Sequence, residues 1–267
     1  MTFHASSIHT LLLAALLAVA APVIAAPRVS GEAGAFNLEK TRSAAKAGSP
    51  EAQYNLGVLY YNGDGVMRNR AKAAEWFREA ATQGLDRAQY NLGALYFSGN
   101  GVKRDPKVAN TWFSLAAEQN YPPALYALGM SYLEGQGVAQ DRKRAASLLE
   151  RAAKHGSALA QNNLGLMYDQ GLGVTQDKDK AADWYEQAAE QGVVEAQFNL
   201  AQMYYVGEGV RKNRSKAAKW FQRAADQGYP KAMTRLADMY LAGDGVEQDV
   251  AKARYLYLQA GAATNKP

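Results

Sequence analysis

PEAQYNLGVLYYNGDGVMRNRAKAAEWFREAATQGL, residues 50–85, returns in recognisable form five more times at a spacing of 36 residues. Leu56, Leu92, Leu128, Leu164, Leu200 and Leu236 keep that spacing without an insertion. So do Tyr60, Tyr96, Tyr132, Tyr168, Tyr204 and Tyr240, the alanines from Ala52 to Ala232, and the glycine pairs from Gly63 and Gly65 to Gly243 and Gly245. An uninterrupted period of this length marks a stacked array, in which each unit buries its apolar face only against its neighbours. Residues 36 apart therefore share one structural slot, named below by its residue in the first repeat.

Within a repeat, Ala52, Leu56, Leu59 and Tyr60 fall on one face of a helix with 3.6 residues per turn, and this is helix A. Gly63 and Gly65 end it, since glycine enters the left-handed region freely. Gly57 lies on its flank, where a missing side chain admits a close neighbour. Helix B then starts at Asn69, Asp105, Asp141, Asp177, Asn213 and Asp249, whose side-chain oxygens accept from the unpaired first-turn amides. It turns Ala73, Trp76 or Phe77, and Ala80 with Ala81 toward helix A, and ends at Gly84 or its equivalents, with Asn120 in one repeat. Pro50, Pro122 and Pro230 open the following helices A at a position where a missing N–H costs nothing. The expectation is an all-α solenoid of six helix-turn-helix units winding into a right-handed superhelix. The repeats run at about 49–84, 85–120, 121–156, 157–192, 193–228 and 229–260. Asn37 to Gly48 is a lone helix B and serves as an amino-terminal cap, and 261–267 form a tail.

The string A-x-Y-N-L-G-x-L-Y-x-x-G-x-G-V, followed by K-A-A-x-W-F/Y-x-x-A-A-x-Q-G, resembles the Sel-one-like repeat, a relative of the tetratricopeptide repeat with a longer unit. The resemblance covers residues 37–260, and the unit containing Leu148 and Leu149 departs most, because these replace the aromatic pair. It implies a non-catalytic binding scaffold, of the kind that organises protein complexes at the cell envelope.

Residues 1–26 hold no Lys, Arg, Asp or Glu, and Leu11 to Ala21 are Leu, Ala and Val only. This reads as a secretory signal, too short in its apolar core for the roughly 20 residues of a membrane span. An uncleaved amino-terminal anchor is the alternative, because the first residues carry no Lys or Arg. Residues 27–36 form a flexible leader. The location expected is periplasmic or secreted, in a bacterium, with no stable membrane insertion once the signal is removed. A net charge of +5, with both signs mixed along every repeat, gives no polybasic block for nucleic acid.

There is no cysteine, and of three histidines two lie in the signal segment. His155 remains, in the slot of Gln83, so no Cys-His or Ser-His-Asp arrangement can be assembled and no catalytic residue is assigned. Loops such as Gly63-Asp64-Gly65 offer calcium one carboxylate where it takes 6 to 8 oxygens, and lack the third glycine and Lys of phosphate loops. No metal or cofactor is expected.

Two surfaces stand out. On helix A the slots of Tyr54, Val58 and Tyr61 point about 140–160° away from Leu56 on the wheel. That face is expected to be solvated, yet holds Tyr54, Tyr90, Tyr126, Phe198, Tyr61, Phe97 and Tyr205, beside a file of Asn55, Asn91, Asn163 and Asn199. Such rings and carboxamides suit a groove for an extended peptide or another protein. The other reading packs the rings between adjacent helices A; a cell-wall glycan, stacking on the rings, is a further alternative ligand. The second surface is the last helix, where Tyr255 and Leu258 take slots held elsewhere mostly by polar residues. It suits docking or self-association, unless the tail from Gly261 folds over it.

Overall fold

The structure, a computed structural model, describes residues 38–264, so the expected signal and leader lie outside the described residues. Thirteen helices, and no strand, are found among the described residues. The cap is α1 (Leu38–Lys46). Helices A are α2 (Pro50–Asn62), α4 (Asp86–Ser98), α6 (Pro122–Glu134), α8 (Ala158–Gln170), α10 (Val194–Val206) and α12 (Pro230–Ala242). Helices B are α3 (Arg70–Thr82), α5 (Pro106–Glu118), α7 (Arg142–Lys154), α9 (Lys178–Glu190), α11 (Arg214–Asp226) and α13 (Val250–Thr264). The chain divides within α7 into two compact units, one ending at Leu148 and the other beginning at Leu149.

Local chemistry sets the start of each helix B and the end of each helix A. The side chains of Asn69, Asp105, Asp141, Asp177, Asn213 and Asp249 each accept a first-turn amide of helix B, as the sequence requires. Each helix A ends on a glycine in the left-handed region, Gly63 at φ 86 being the first. Asn120, at φ 59, adopts by itself the conformation that glycine takes in its slot elsewhere.

In the first unit α2 packs on α3 and α4 on α5, with α3 against α4 and α5 against α6. Ala73, Phe77, Ala80 and Ala81 of α3 are buried against α2, and a Cβ on Gly57 would stand 2.7 Å from the Phe77 ring. Glycine at that slot is what lets the two helices of a repeat approach. The second unit repeats the scheme in α8 with α9, α10 with α11 and α12 with α13, around Tyr185, Leu200 and Phe221.

The second glycine of each loop has a different task. A Cβ on Gly137 would lie 2.5 Å from the Pro106 carbonyl carbon, and one on Gly245 the same distance from that of Arg214. Gly137 and Gly245 thus seat their loops on the first residue of the helix B before them. Gly65, in the first repeat, has open space instead. The invariant tyrosines are fixed by cations, Lys72 over Tyr60, Arg144 over Tyr132, Lys180 over Tyr168, Lys216 over Tyr204 and Lys252 over Tyr240, at 4.3–5.5 Å.

Candidate functional site

The face of helix A expected to be solvated is covered through most of the array. Tyr54 is 2% exposed and Tyr90 3%, and Tyr126, Phe97 and the asparagines Asn91 and Asn163 are also buried. The Tyr90 ring stands 5.7 Å from Phe113 of α5 and 5.7 Å from Tyr121, at the start of the next repeat. Burial pushes its hydroxyl up to about 12. Tyr54 lies 5.7 Å from Phe77, carries the Arg87 guanidinium 4.6 Å above its ring, and accepts a long 3.4 Å bond from Asn91 Nδ2. The expectation of a solvated groove is therefore corrected for these six residues. In an array, the face of helix A opposite its own core meets the following repeat, not water.

The last helix A supports that reason. No described repeat follows α12, and its Thr234, Asp238 and Leu241, in the slots of Tyr54, Val58 and Tyr61, are exposed. The other five predicted groove residues are part-exposed: Asn55, Tyr61, Phe198, Asn199 and Tyr205. Four of them are engaged in the scaffold, Phe198 by standing 5.6 Å from Phe221 and 5.3 Å from Tyr229. Arg70 sits 5.5 Å over Tyr61; Tyr205 donates to Asp244 at 3.0 Å beneath Arg214, which pairs with the same carboxylate; Asn199 bonds the buried Tyr185 hydroxyl, whose pKa burial raises well above its ordinary value.

A part-exposed stripe lies in the second unit. Asn162 and Leu166 of α8, and Phe198 and Gln202 of α10, are part-exposed, whereas Tyr54, Val58, Tyr90, Ala94, Tyr126 and Met130 in the same slots of the first unit are buried. Leu159, one turn before Asn162, is exposed. Spacings of three and four place Leu159, Asn162 and Leu166 along one stripe of α8, and Glu195, Phe198 and Gln202 along the matching stripe of α10. Asn162 Oδ1 is buried and has no hydrogen-bond partner.

Sequence reasoning missed a glutamine pair. Gln53, Gln89, Gln161 and Gln197 are buried, and each donates Nε2 to a carbonyl of the preceding helix, from Ala45, Ala81, Ala153 and Ala189, at 3.1–3.2 Å. Each then accepts on Oε1 from Gln83, Gln119, Gln191 or Gln227, at 2.7–2.9 Å. Where Leu125 replaces the first glutamine, exposed His155 replaces the second. That co-variation within one chain was the available signal.

The loop carboxylates are engaged as well. Glu208 pairs with Lys178 at 3.2 Å and Asp244 with Arg214, each 30 residues upstream at the start of a helix B. Asn100 accepts from Arg70 in the same geometry. Among the described residues no group of three or more His, Cys, Asp or Glu converges. A shallow pocket of about 480 Å³ is lined by Gln53, Tyr60 and Trp76, and its Lys46, Lys72, Glu75 and Glu79 balance in charge.

The model of the Sel1 repeat matches residues 50–85, 86–121, 122–157, 158–193, 194–229 and 230–265. The chain belongs to the Sel1 repeat family. It is an all-α solenoid of six such repeats behind one capping helix. It is 38% identical to a protective antigen, c5321, of uropathogenic Escherichia coli that displays an SLR fold, with a TM-score of 0.83 over 86% of this chain and 49% of that one. The chain thus spans about half the length of that relative. A Sel1 repeat protein from Oxalobacter formigenes is 35% identical, with a TM-score of 0.70 over 84% of this chain and 93% of that one. Comparison with curated proteins gives no significant match. Sel1 repeats in general act as scaffolds for protein–protein interaction, on a fold that is typically non-catalytic.

Proposed function

We propose that this Sel1 repeat protein is an exported, non-catalytic adaptor of a bacterial cell envelope. It holds another protein, in extended conformation at the contact, along helices A of its second unit. The observation that carries this reading is the part-exposed stripe of Leu159, Asn162 and Leu166 with Phe198 and Gln202. Apolar side chains and a ring there accept side chains of a strand-like segment, and the part-exposed Gln202 carboxamide has a donor and an acceptor for its backbone. Of the part-exposed groove residues, Asn199 and Tyr205 lie on α10 beside such contacts, whereas Asn55 and Tyr61 lie on α2, in the first unit. Export rests on the uncharged stretch of residues 1–26, and no helix among the described residues is long and apolar enough to cross a membrane.

Affinity capture from the native envelope, compared between the wild type and Leu159→Glu with Asn162→Ala, tests the reading. Capture of a protein is lost in the variant while its melting curve is unchanged. Equal capture by both forms overturns the assignment, and binding of purified peptidoglycan in place of any protein moves the ligand class to glycan.

A further inference from the structure

The outward stripe of every helix B consists of the slots of Ala71, Glu75, Arg78 and Thr82, spaced four, three and four residues apart. From α3 to α11 that stripe is polar at every position except Ala71, with pairs such as Asp183 and Glu186 in α9. In α13 the same slots hold Ala251, Tyr255, Leu258 and Ala262, all exposed, Tyr255 to 59% and Leu258 to 65%. The chain continues as helix from Gly261 to Thr264, and so does not turn back over the stripe at Gly261.

We infer that this stripe is a homodimer interface, in which α13 of one copy packs antiparallel on α13 of a second. Three features select a second copy as the occupant. The 4-3-4 spacing is that of a helix–helix seam, and it extends for about 16 Å. The order small, large, large, small reads the same in both directions, so an antiparallel partner sets Tyr255 against Leu258 and Ala251 against Ala262. That self-complementarity is what a two-fold contact requires. The charges agree: α13 carries Lys252 and Arg254 and no carboxylate. A parallel pair would align these cations with their own copies. The antiparallel pair separates them and brings Lys252 beside the last turn of the partner helix, the negative end of its dipole. The inference does not depend on what helices A bind.

A single helix pair buries less than the roughly 1,600 Å² of a standard interface, so the dimer should be weak, with Kd on the order of 10 µM. Light scattering of the purified protein from about 1 to about 200 µM spans that range and should move from one to two chain masses. Tyr255→Glu with Leu258→Glu should stay monomeric throughout, with an unchanged circular dichroism spectrum. The chain has no cysteine, which permits a second measurement that does not introduce charge. Mixed and mildly oxidised, Tyr255→Cys and Leu258→Cys single variants should cross-link to each other faster than either does to itself. A wild type that remains monomeric at the highest concentration, a glutamate variant that still dimerises, or preferential self-cross-linking of Leu258→Cys overturns the proposal. Capture of a different protein on the stripe by a monomeric wild type does so as well.

Discussion

Replacing Tyr90 by Ala separates a ring that builds the array from one that greets a ligand. The ring is 3% exposed and lies 5.7 Å from both Phe113 and Tyr121, so its removal leaves a cavity between two repeats. Truncating a buried aromatic costs about 3–5 kcal/mol. With a urea dependence of about 2 kcal/mol per molar, the midpoint should fall by about 1.5–2.5 M. Asn91→Ala removes a side chain that is fully buried but poorly used: Nδ2 makes one 3.4 Å bond and Oδ1 has no partner. Its loss should change stability by about 1 kcal/mol or less, a midpoint shift below about 0.5 M. Because helical arrays can unfold in parts, the first unit should be followed by itself, through Trp76 and Trp112 with Trp184 and Trp220 replaced by Phe. A Tyr90→Ala midpoint within about 0.5 M of the wild type would refute the claim that the ring is part of the core.

Gln119→Ala deprives the buried Gln89 Oε1 of its donor and should cost about 1–3 kcal/mol in urea unfolding, while Gln89→Leu combined with Gln119→His, copying the third repeat, should recover part of it. Gly137→Ala forces a Cβ to within 2.5 Å of the Pro106 carbonyl carbon at φ 70, and should lower the midpoint far more than Gly65→Ala, which meets the same φ in open space and costs about 1 kcal/mol. Glu134, partly buried at the end of α6, has its pKa raised by desolvation from 4.5 to about 7, against a weaker lowering by its Gln136 bond. The folded state then holds the proton more tightly than the unfolded, so the contribution of Glu134 is present below pH 4.5 and is lost as pH rises to about 7. Stability measured from pH 4.5 to 8 should show that downward slope in the wild type and lose it in Glu134→Gln.

The scaffold was legible because its parts act over a few residues. Caps at Asn69 and its equivalents, left-handed glycines such as Gly63, and the Ala52, Leu56 and Tyr60 face each follow from local geometry, and the exact period then assembles them. The open surface was misread for a reason with the same origin. A helical wheel assumes one buried side, but helix A of an inner repeat is buried on two, by its own helix B and by the next repeat. The signal lay in a comparison along the array. The slot of Val58 reads Val, Ala, Met, Leu, Gln and Asp in order, and turns polar as covering is lost. The Gln53 and Gln83 pair was overlooked because neither residue is apolar or reactive, although the two change together.

The same comparison gives α13 its meaning. If a repeat at the end of an array simply lost its neighbour, its uncovered slots should follow Asp238, or Arg254 in the slot of Ala74, and become charged. Those two residues do so. The outward stripe runs the other way, from almost wholly polar in helices B from α3 to α11 to apolar in α13. Loss of a neighbour cannot produce that change, because the outward stripe of helix B has no repeat on it in any unit. An apolar stripe that appears only on α13 among the described helices B, on a face that is polar in the others, is the surface that the proposed second copy covers.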